Sequence, residues 1–168
     1  GQYGYGNGRV MPAGPLRETI ENAMSRVQAV ALIGTAPDAL RSSIPRNMPV
    51  LMARFVPAAG DDDISGNPVV AFAGIGRPEK FFETLAGMGC DLIDIAPFPD
   101  HHYYSSDEIM RLIDIAAAAG AIVVTTEKDL VRVPEEARDM VRSLKVRLDW
   151  SDLAALDGVL SPFLETKA

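Results

Sequence analysis

The chain has 168 residues and a formal net charge of −7, which argues against a general nucleic-acid surface because such a surface needs a basic excess. Hydrophobic residues make up 48% and charged residues 23%, a composition typical of a globular protein with room for one core or slightly more. The single cysteine, Cys90, excludes an internal disulfide, and no apolar run reaches the ~18 residues of a membrane span.

The first part of the chain is predicted to be a glycine-rich loop followed by a helix. Glycines crowd residues 1–14, and Asn7-Gly8 is a strong signal for a tight turn. Pro15 suits a first helical position, and apolar residues at helical spacing predict a helix over residues 15–27. Arg17 in its first turn could bind an anion, or it could be a surface arginine that points into water.

Short elements and a linker follow this helix. The pattern predicts a strand over residues 29–33, a helix over 38–44 and a second strand within 48–57. Residues 58–67 are typical of a linker, and the aspartates at 61–63 lack the alternating ligand spacing of a calcium loop. We therefore expect residues 1–67 to form a remnant of a first lobe with its linker, and residues 68–168 to form a C-terminal α/β domain.

The second part alternates regularly between strands and helices. Strands are predicted at residues 69–73, 91–96, 121–124 and 146–148, and helices at 78–88, from 105 to Gly120, from about 134, and after a cap at Ser151. Ser105 and Glu108 form a capping-box pattern at the start of the second of these helices. The alternation predicts a parallel sheet with helices on both faces, a Rossmann-like α/β/α fold preceded by a partial N-terminal lobe.

Polar side chains collect where three predicted strands end. The three stretches are 74–77, 100–102 and 125–129, and sites in open parallel sheets form beyond such carboxyl ends. The middle stretch contains both histidines of the chain, His101 and His102, beside Asp100. Since the unperturbed pKa of histidine lies near physiological pH, this loop favours proton transfer. The alternative is a polar turn packed by its prolines and tyrosines.

Familiar ligand motifs are largely missing from these stretches. Gly74 and Gly76 lack the third glycine of a dinucleotide fingerprint, and no lysine follows a glycine as in a phosphate-binding P-loop. The two histidines are adjacent, which points their rings apart and disfavours a shared metal site. No metal ligands are therefore predicted within this chain.

Several motifs together resemble one family, the tetraacyldisaccharide 4′-kinases of lipid A biosynthesis. The matching stretches are Gly6-Asn7-Gly8-Arg9, Pro12-Ala13-Gly14-Pro15-Leu16-Arg17-Glu18, Ala71-Phe72-Ala73-Gly74-Ile75-Gly76-Arg77-Pro78-Glu79-Lys80-Phe81, Phe98-Pro99-Asp100-His101-His102 and Val124-Thr125-Thr126-Glu127-Lys128-Asp129. Their order and spacing fit the family along the whole chain. The family transfers the γ-phosphoryl group of ATP to the 4′-hydroxyl of a tetraacyldisaccharide 1-phosphate.

The resemblance implies roles for particular residues. It makes His101 the partner of the family's catalytic aspartate, with Asp100 orienting His101 or serving the loop structurally. It places Arg17 and Glu18 towards the nucleotide phosphates and metal, with Arg77 and Lys128 as weaker candidates for cofactor binding. The implied cofactors are ATP and Mg²⁺, whose main ligands are expected in the family's N-terminal half.

The resemblance covers only the C-terminal half of such an enzyme, so the chain is expected to lack the P-loop and to be inactive alone. The implied partners are ATP and the lipid substrate, without nucleic acid. The implied location is the cytoplasmic side of the bacterial inner membrane, with peripheral contact through the missing half. The alternative is a non-catalytic α/β module that binds an anion or nucleotide with Arg77, His101 and Lys128.

Overall fold

The computed structural model describes residues 4–58 and 64–164 and separates the chain into two compact units. Unit 1 comprises Gly1–Phe55 with Leu148–Ala168, and unit 2 comprises Val56–Arg147. In chain order the elements are α1 (Ile20–Met24), β1 (Val30–Ile33), α2 (Asp38–Ser42), β2 (Val50–Pro57), β3 (Pro68–Ala73), α3 (Pro78–Gly87), β4 (Asp91–Pro97), α4 (Ser106–Ala119), β5 (Ile122–Thr126), α5 (Glu127–Leu130), α6 (Glu135–Arg138), β6 (Val141–Leu144), β7 (Val146–Trp150) and α7 (Leu153–Leu164).

Unit 2 is built on a four-stranded parallel sheet in the order β4-β3-β5-β6. Every residue of β3 from Val69 to Ala73 is fully buried, so this strand has no solvent face. Successive side chains of a strand point to opposite faces. Val69, Ala71 and Ala73 accordingly pack with the aromatic side of α3, whereas Val70 and Phe72 pack with α4. The predicted parallel sheet with helices on both faces is confirmed.

Local signals set the ends of α3 and α4. Pro78 occupies the first turn of α3, where its missing N–H costs nothing. Ser105 accepts a hydrogen bond from the N–H of Glu108, whose carboxylate accepts one from the N–H of Ser105, so the predicted capping box is confirmed. Gly120 ends α4 at φ 63°, a conformation that favours glycine.

Unit 1 contains the three-stranded sheet β1-β2-β7 and a small core of Leu32, Leu40 and Ile44. The helix predicted over residues 15–27 is wrong in its extent, because α1 begins only at Ile20 behind the N-cap Thr19. Leu16 forms a bridge with Val10 instead, and this pairing holds the preceding loop outside the helix. Arg17 therefore lies before the helix and not in its first turn.

The division into units differs from the predicted ranges 1–67 and 68–168. β7 pairs in the sheet of unit 1, which assigns the end of the chain to unit 1. Ile64 is 1% exposed and belongs to the core of unit 2, so unit 2 begins before residue 68. The predicted aspartate-rich turn at 61–63 lies outside the described residues. The last helix is capped by Asp152, which accepts from the N–H of Ala155, and not by Ser151.

Candidate functional site

The loops that follow β3, β4 and β5 meet at the backbone of Gly74. The carbonyl oxygen of Gly74 accepts hydrogen bonds from the N–H of His101 (3.0 Å) and from the guanidinium of Arg132 (3.1 Å). A Cβ at Gly74 would lie 2.8 Å from the Tyr104 hydroxyl and 3.3 Å from Asp129 Oδ1, so no larger residue fits without movement. The polar strand ends thus gather at one edge, as parallel strands require.

His101 projects from this edge into solvent. Its side chain is 86% exposed, and its Nε2 lies 3.9 Å from Asp100 Oδ2. Its backbone adopts φ 61°, the sole positive φ among the described non-glycine residues. A left-handed conformation costs a non-glycine residue roughly 1–2 kcal/mol and persists only where neighbouring contacts impose it. The loop therefore holds an exposed imidazole on a constrained backbone.

His102 turns inward and has a structural environment. Its ring stacks on Phe98 with the two centroids 4.7 Å apart, and its Nε2 lies 3.2 Å from Glu108 Oε1. The imidazole is 25% exposed and also contacts the ring of Tyr104 edge-on. The two adjacent histidines thus point into different surroundings, and only His101 is free to meet a ligand from solvent.

Glu108 connects this histidine to the start of α4. One of its carboxylate oxygens accepts from both the N–H and the hydroxyl of Ser105, each at 2.8 Å. These bonds, the backbone N–H first and the hydroxyl next, lower the pKa of Glu108, and His102 acts in the same direction. The carboxylate of Glu108 therefore takes part both in the N-terminal cap of α4 and in the contact with the His102 ring.

A buried carboxylate lies beneath the histidine loop. Asp129 is 0% exposed and accepts hydrogen bonds from the Tyr104 hydroxyl (2.8 Å), the Thr126 hydroxyl (2.7 Å) and Arg132 Nη2 (2.6 Å). Burial is the main cause that raises the pKa of Tyr104 well above its usual value, and the hydrogen bond to Asp129 adds to it. These three hydrogen bonds, one of them from the guanidinium of Arg132, offset the cost of burying the Asp129 carboxylate.

Arg132 pairs with the buried Asp129 and also donates hydrogen bonds to backbone carbonyls of the neighbouring loops. Besides Asp129 and the Gly74 carbonyl, it donates from Nη1 to the carbonyl of His102 at 3.3 Å. One guanidinium thus contacts all three strand-end loops. Sequence reasoning placed Asp129 in the third polar stretch without giving it a role, and it missed Tyr104 and Arg132. The i, i+3 spacing of Asp129 and Arg132 was the available signal for an ion pair.

The other predicted site residues have different surroundings. Arg77 occupies the N-cap position of α3 and is half-buried, while Lys128 is exposed on the short helix α5. Arg17 is exposed, and Glu18 forms an ion pair with Arg26. Arg17 and Glu18 belong to unit 1, whereas the histidine loop belongs to unit 2.

The described residues do not supply a complete metal site. Within residues 4–58 and 64–164, no three His, Cys, Asp or Glu side chains come together in a way that could hold an ion. A cavity of about 530 Å³ in unit 1 is lined by Ile20, Met24 and Pro45 among others, and none of the predicted site residues lines it. In the same described ranges, no helix has both the length and the apolar character needed to cross a membrane.

Fold and site together define an α/β protein whose polar chemistry lies at the carboxyl ends of parallel strands. A family profile described as LpxK, tetraacyldisaccharide-1-P 4′-kinase, matches residues 1–165. A tetraacyldisaccharide 4′-kinase of Rhodospirillum centenum is 47% identical over 168 residues, covering 99% of this chain and 50% of its own length. One from Gluconacetobacter diazotrophicus is 42% identical, covering 98% and 50%.

The chain belongs to the tetraacyldisaccharide 4′-kinase family, and it spans about half the length of the curated relatives it matches. A crystal structure of LpxK from Aquifex aeolicus in complex with ATP has a TM-score of 0.62 and 21% sequence identity. The similarity covers 93% of this chain and 48% of that one, and it shows a shared fold.

Proposed function

We propose that this chain contributes the histidine loop of an ATP-dependent kinase that phosphorylates the 4′-hydroxyl of tetraacyldisaccharide 1-phosphate. Family membership supports the reaction class, and the solvated imidazole of His101 beyond the end of β4 is the observation that carries the role. The reaction takes place on the cytoplasmic side of the inner membrane, with which the complete protein is in peripheral contact. The chain alone is inactive.

His101 is proposed to assist removal of the proton from the attacking sugar hydroxyl, directly or through a carboxylate partner. Phosphoryl transfer depends mainly on positioning and on neutralising charge, and a proton acceptor near the nucleophile assists it. Asp100 Oδ2 lies 3.9 Å from His101 Nε2, which is beyond hydrogen-bond distance, so Asp100 can influence the ring through its charge only. Because His101 is exposed, its ring can reach a substrate without displacing a protein partner.

Binding of the nucleotide and its metal needs cationic and acidic side chains besides His101. Arg17 offers an exposed guanidinium for a phosphate, and Arg77 and Lys128 are further cationic candidates on the rim of unit 2. Glu18 would have to exchange its ion pair with Arg26 for a metal or nucleotide contact. When bound, Mg²⁺ neutralises phosphate charge, but the described residues do not form its site.

The test is a kinase assembled from this chain and the part of the Rhodospirillum centenum relative that it does not match. His101→Asn should lower kcat for the lipid substrate by ~10²- to 10⁴-fold, with the KM for ATP little changed. Asparagine is chosen because it tolerates a left-handed backbone, so the loop keeps its conformation. His102→Asn is the matched control and should lower kcat less, because its ring packs on Phe98.

Three results would contradict the proposal: an assembled wild-type enzyme without turnover, His101→Asn at the wild-type rate, or turnover by the 168-residue chain alone. An assembly that binds ATP and transfers nothing would instead identify an anion- or nucleotide-binding module. Radiolabelled phosphate transfer measures the rate, and ATP binding is measured separately by calorimetry.

A further inference from the structure

The guanidinium of Arg132 lies where three loops meet, and no sequence motif assigned it a role. In open parallel sheets this crevice beyond the strand ends ordinarily holds a ligand. Here β3 and β5 are neighbours, and the side chains of Tyr104, Asp129 and Arg132 fill the space beside Gly74. Arg132 is 16% exposed at its side chain and Asp129 is fully buried, so the pair is part of the interior.

Hydrogen bonds hold the backbone on both sides of the left-handed residue His101. The N–H of His101 donates to the Gly74 carbonyl, and the carbonyl of His102 accepts from Arg132 Nη1. Arg132 Nη2 donates to the same Gly74 carbonyl. The left-handed φ of His101 needs such support, because an unsupported residue relaxes to the ordinary region of the backbone.

We propose that Arg132 is a positioning residue that fixes the backbone of His101 and thereby aims its imidazole at the reacting hydroxyl. This inference rests on the proposed function for its kinetic consequence, whereas the conformational part stands on the contacts alone. Arginine suits the task because its planar fork donates in several fixed directions. The buried carboxylate of Asp129 holds the guanidinium in place and compensates its charge.

The first experiment measures conformation in the 168-residue chain itself, independently of any activity. Arg132→Lys keeps the positive charge but cannot reach both carbonyls and the carboxylate at once. The amide hydrogen of His101 should then exchange about tenfold faster, relative to the slowest amides of β3, because its bond to Gly74 opens more often.

Arg138→Lys is the matched control for this measurement. Arg138 also donates to backbone carbonyls, those of Val131 and Val133, but to none in the histidine loop. It should leave the exchange of His101 at the wild-type rate. Asp129→Asn is the second variant, needed in case Arg132→Lys does not fold, and it should shift the exchange of His101 in the same direction.

The second experiment measures kcat in the assembled enzyme. Arg132→Lys should lower kcat by about 10- to 100-fold with the KM for ATP little changed, because a catalytic group displaced by ~1 Å loses rate on that scale. In the His101→Asn background the same substitution should change kcat by less than about twofold, because residues that act through one another are not additive.

Unchanged exchange at His101 in both Arg132→Lys and Asp129→Asn would overturn the proposal. An Arg132→Lys effect on kcat of the same size in the His101→Asn background would also overturn it, since Arg132 would then act independently of His101. A wild-type rate for His101→Asn would instead contradict the proposed function. The conformational result distinguishes these two failures.

Discussion

His101 and His102 show how one residue type takes two roles at adjacent positions. The left-handed φ at His101 turns the chain, so that one imidazole is solvated while the next stacks on Phe98. The inward ring gains an aromatic contact and a carboxylate partner in Glu108. The ring of His101 is solvated, and Asp100 lies near it at 3.9 Å. The ring nitrogens of His101 therefore remain accessible to a substrate.

Tyr104 should make the stability of the fold depend on pH at the alkaline end. Its pKa is raised in the folded state, mainly by burial, so above the ordinary tyrosine pKa of ~10 the unfolded chain releases a proton that the folded chain retains. The free energy of unfolding should therefore fall as pH rises above about 10. Tyr104→Phe should weaken this fall and should cost about 1 kcal/mol at pH 7 through the lost hydrogen bond to Asp129.

Tyr103→Phe is the neighbouring control, since Tyr103 is 87% exposed. Urea unfolding between pH 7 and pH 11, followed by far-UV circular dichroism, measures all three proteins. Tyr103→Phe should follow the wild-type curve throughout. Equal alkaline slopes for wild type and Tyr104→Phe would show that the buried hydroxyl does not couple to folding.

The sequence identified the histidine loop because it holds both histidines of the chain, a feature visible without any fold. The roles of Tyr104 and Arg132 were missed because the contacts that define them join residues far apart in sequence. The ion pair between Asp129 and Arg132 is local, but its i, i+3 spacing does not place it beside the other two loops. The bond from Arg132 to Gly74, for example, spans 58 positions. No local pattern predicts such a bond, since it exists only after β3, β4 and β5 have been placed side by side.

At the scale of elements, sequence patterns predicted strands and helices most accurately where the chain is continuously buried. The apolar runs of β3 and β5 and the capped helix α4 were found to within a few residues. β6 was missed because Arg142 and Ser143 interrupt its apolar pattern at an edge of the sheet. α5 was missed because four residues are too few to show a helical period.

Removing the N-cap of α4 should affect both the helix and the nearby histidine. Ser105→Ala should lower the free energy of unfolding by about 1 kcal/mol, because the N–H of Glu108 loses its acceptor. The carboxylate of Glu108 also loses the Ser105 hydroxyl, so the ring resonances of His102 should shift in NMR spectra. Urea unfolding and histidine-selective spectra measure the two effects.

Ser106→Ala is the control for this cap. Ser106 donates to Glu136 at 2.6 Å on an exposed surface and takes no part in the capping box. It should leave the His102 resonances in place and cost less stability. If both substitutions move the His102 resonances equally, the carboxylate of Glu108 is not the link between cap and ring.

At the scale of the whole molecule, each unit has its own sheet and its own buried cluster. Unit 2 should therefore fold when produced alone as residues 56–147. A matched fragment of residues 68–147 lacks Ile64, which is 1% exposed and packs in the core, and lacks the bond from Ala58 N–H to the Lys145 carbonyl. Since losing a buried aliphatic side chain costs about 2–5 kcal/mol, the shorter fragment should be less stable by at least that order.

Thermal unfolding of the two fragments, followed by far-UV circular dichroism, tests this division. A cooperative transition for residues 56–147 and a lower melting temperature for 68–147 are expected. Equal melting temperatures would favour a boundary at residue 68, as the linker-like composition had suggested.

The complete burial of β3 has a consequence for how this sequence can vary during evolution. A strand with one solvent face tolerates drift at every second position, but residues Val69 to Ala73 offer no such position. Ala71 and Ala73 face the aromatic rings of α3, so a larger side chain there demands a smaller one on the helix. Substitutions in β3 should therefore be accepted mainly together with a second substitution that restores the packing. The second substitution should lie on α3 for one face of the sheet and on α4 for the other.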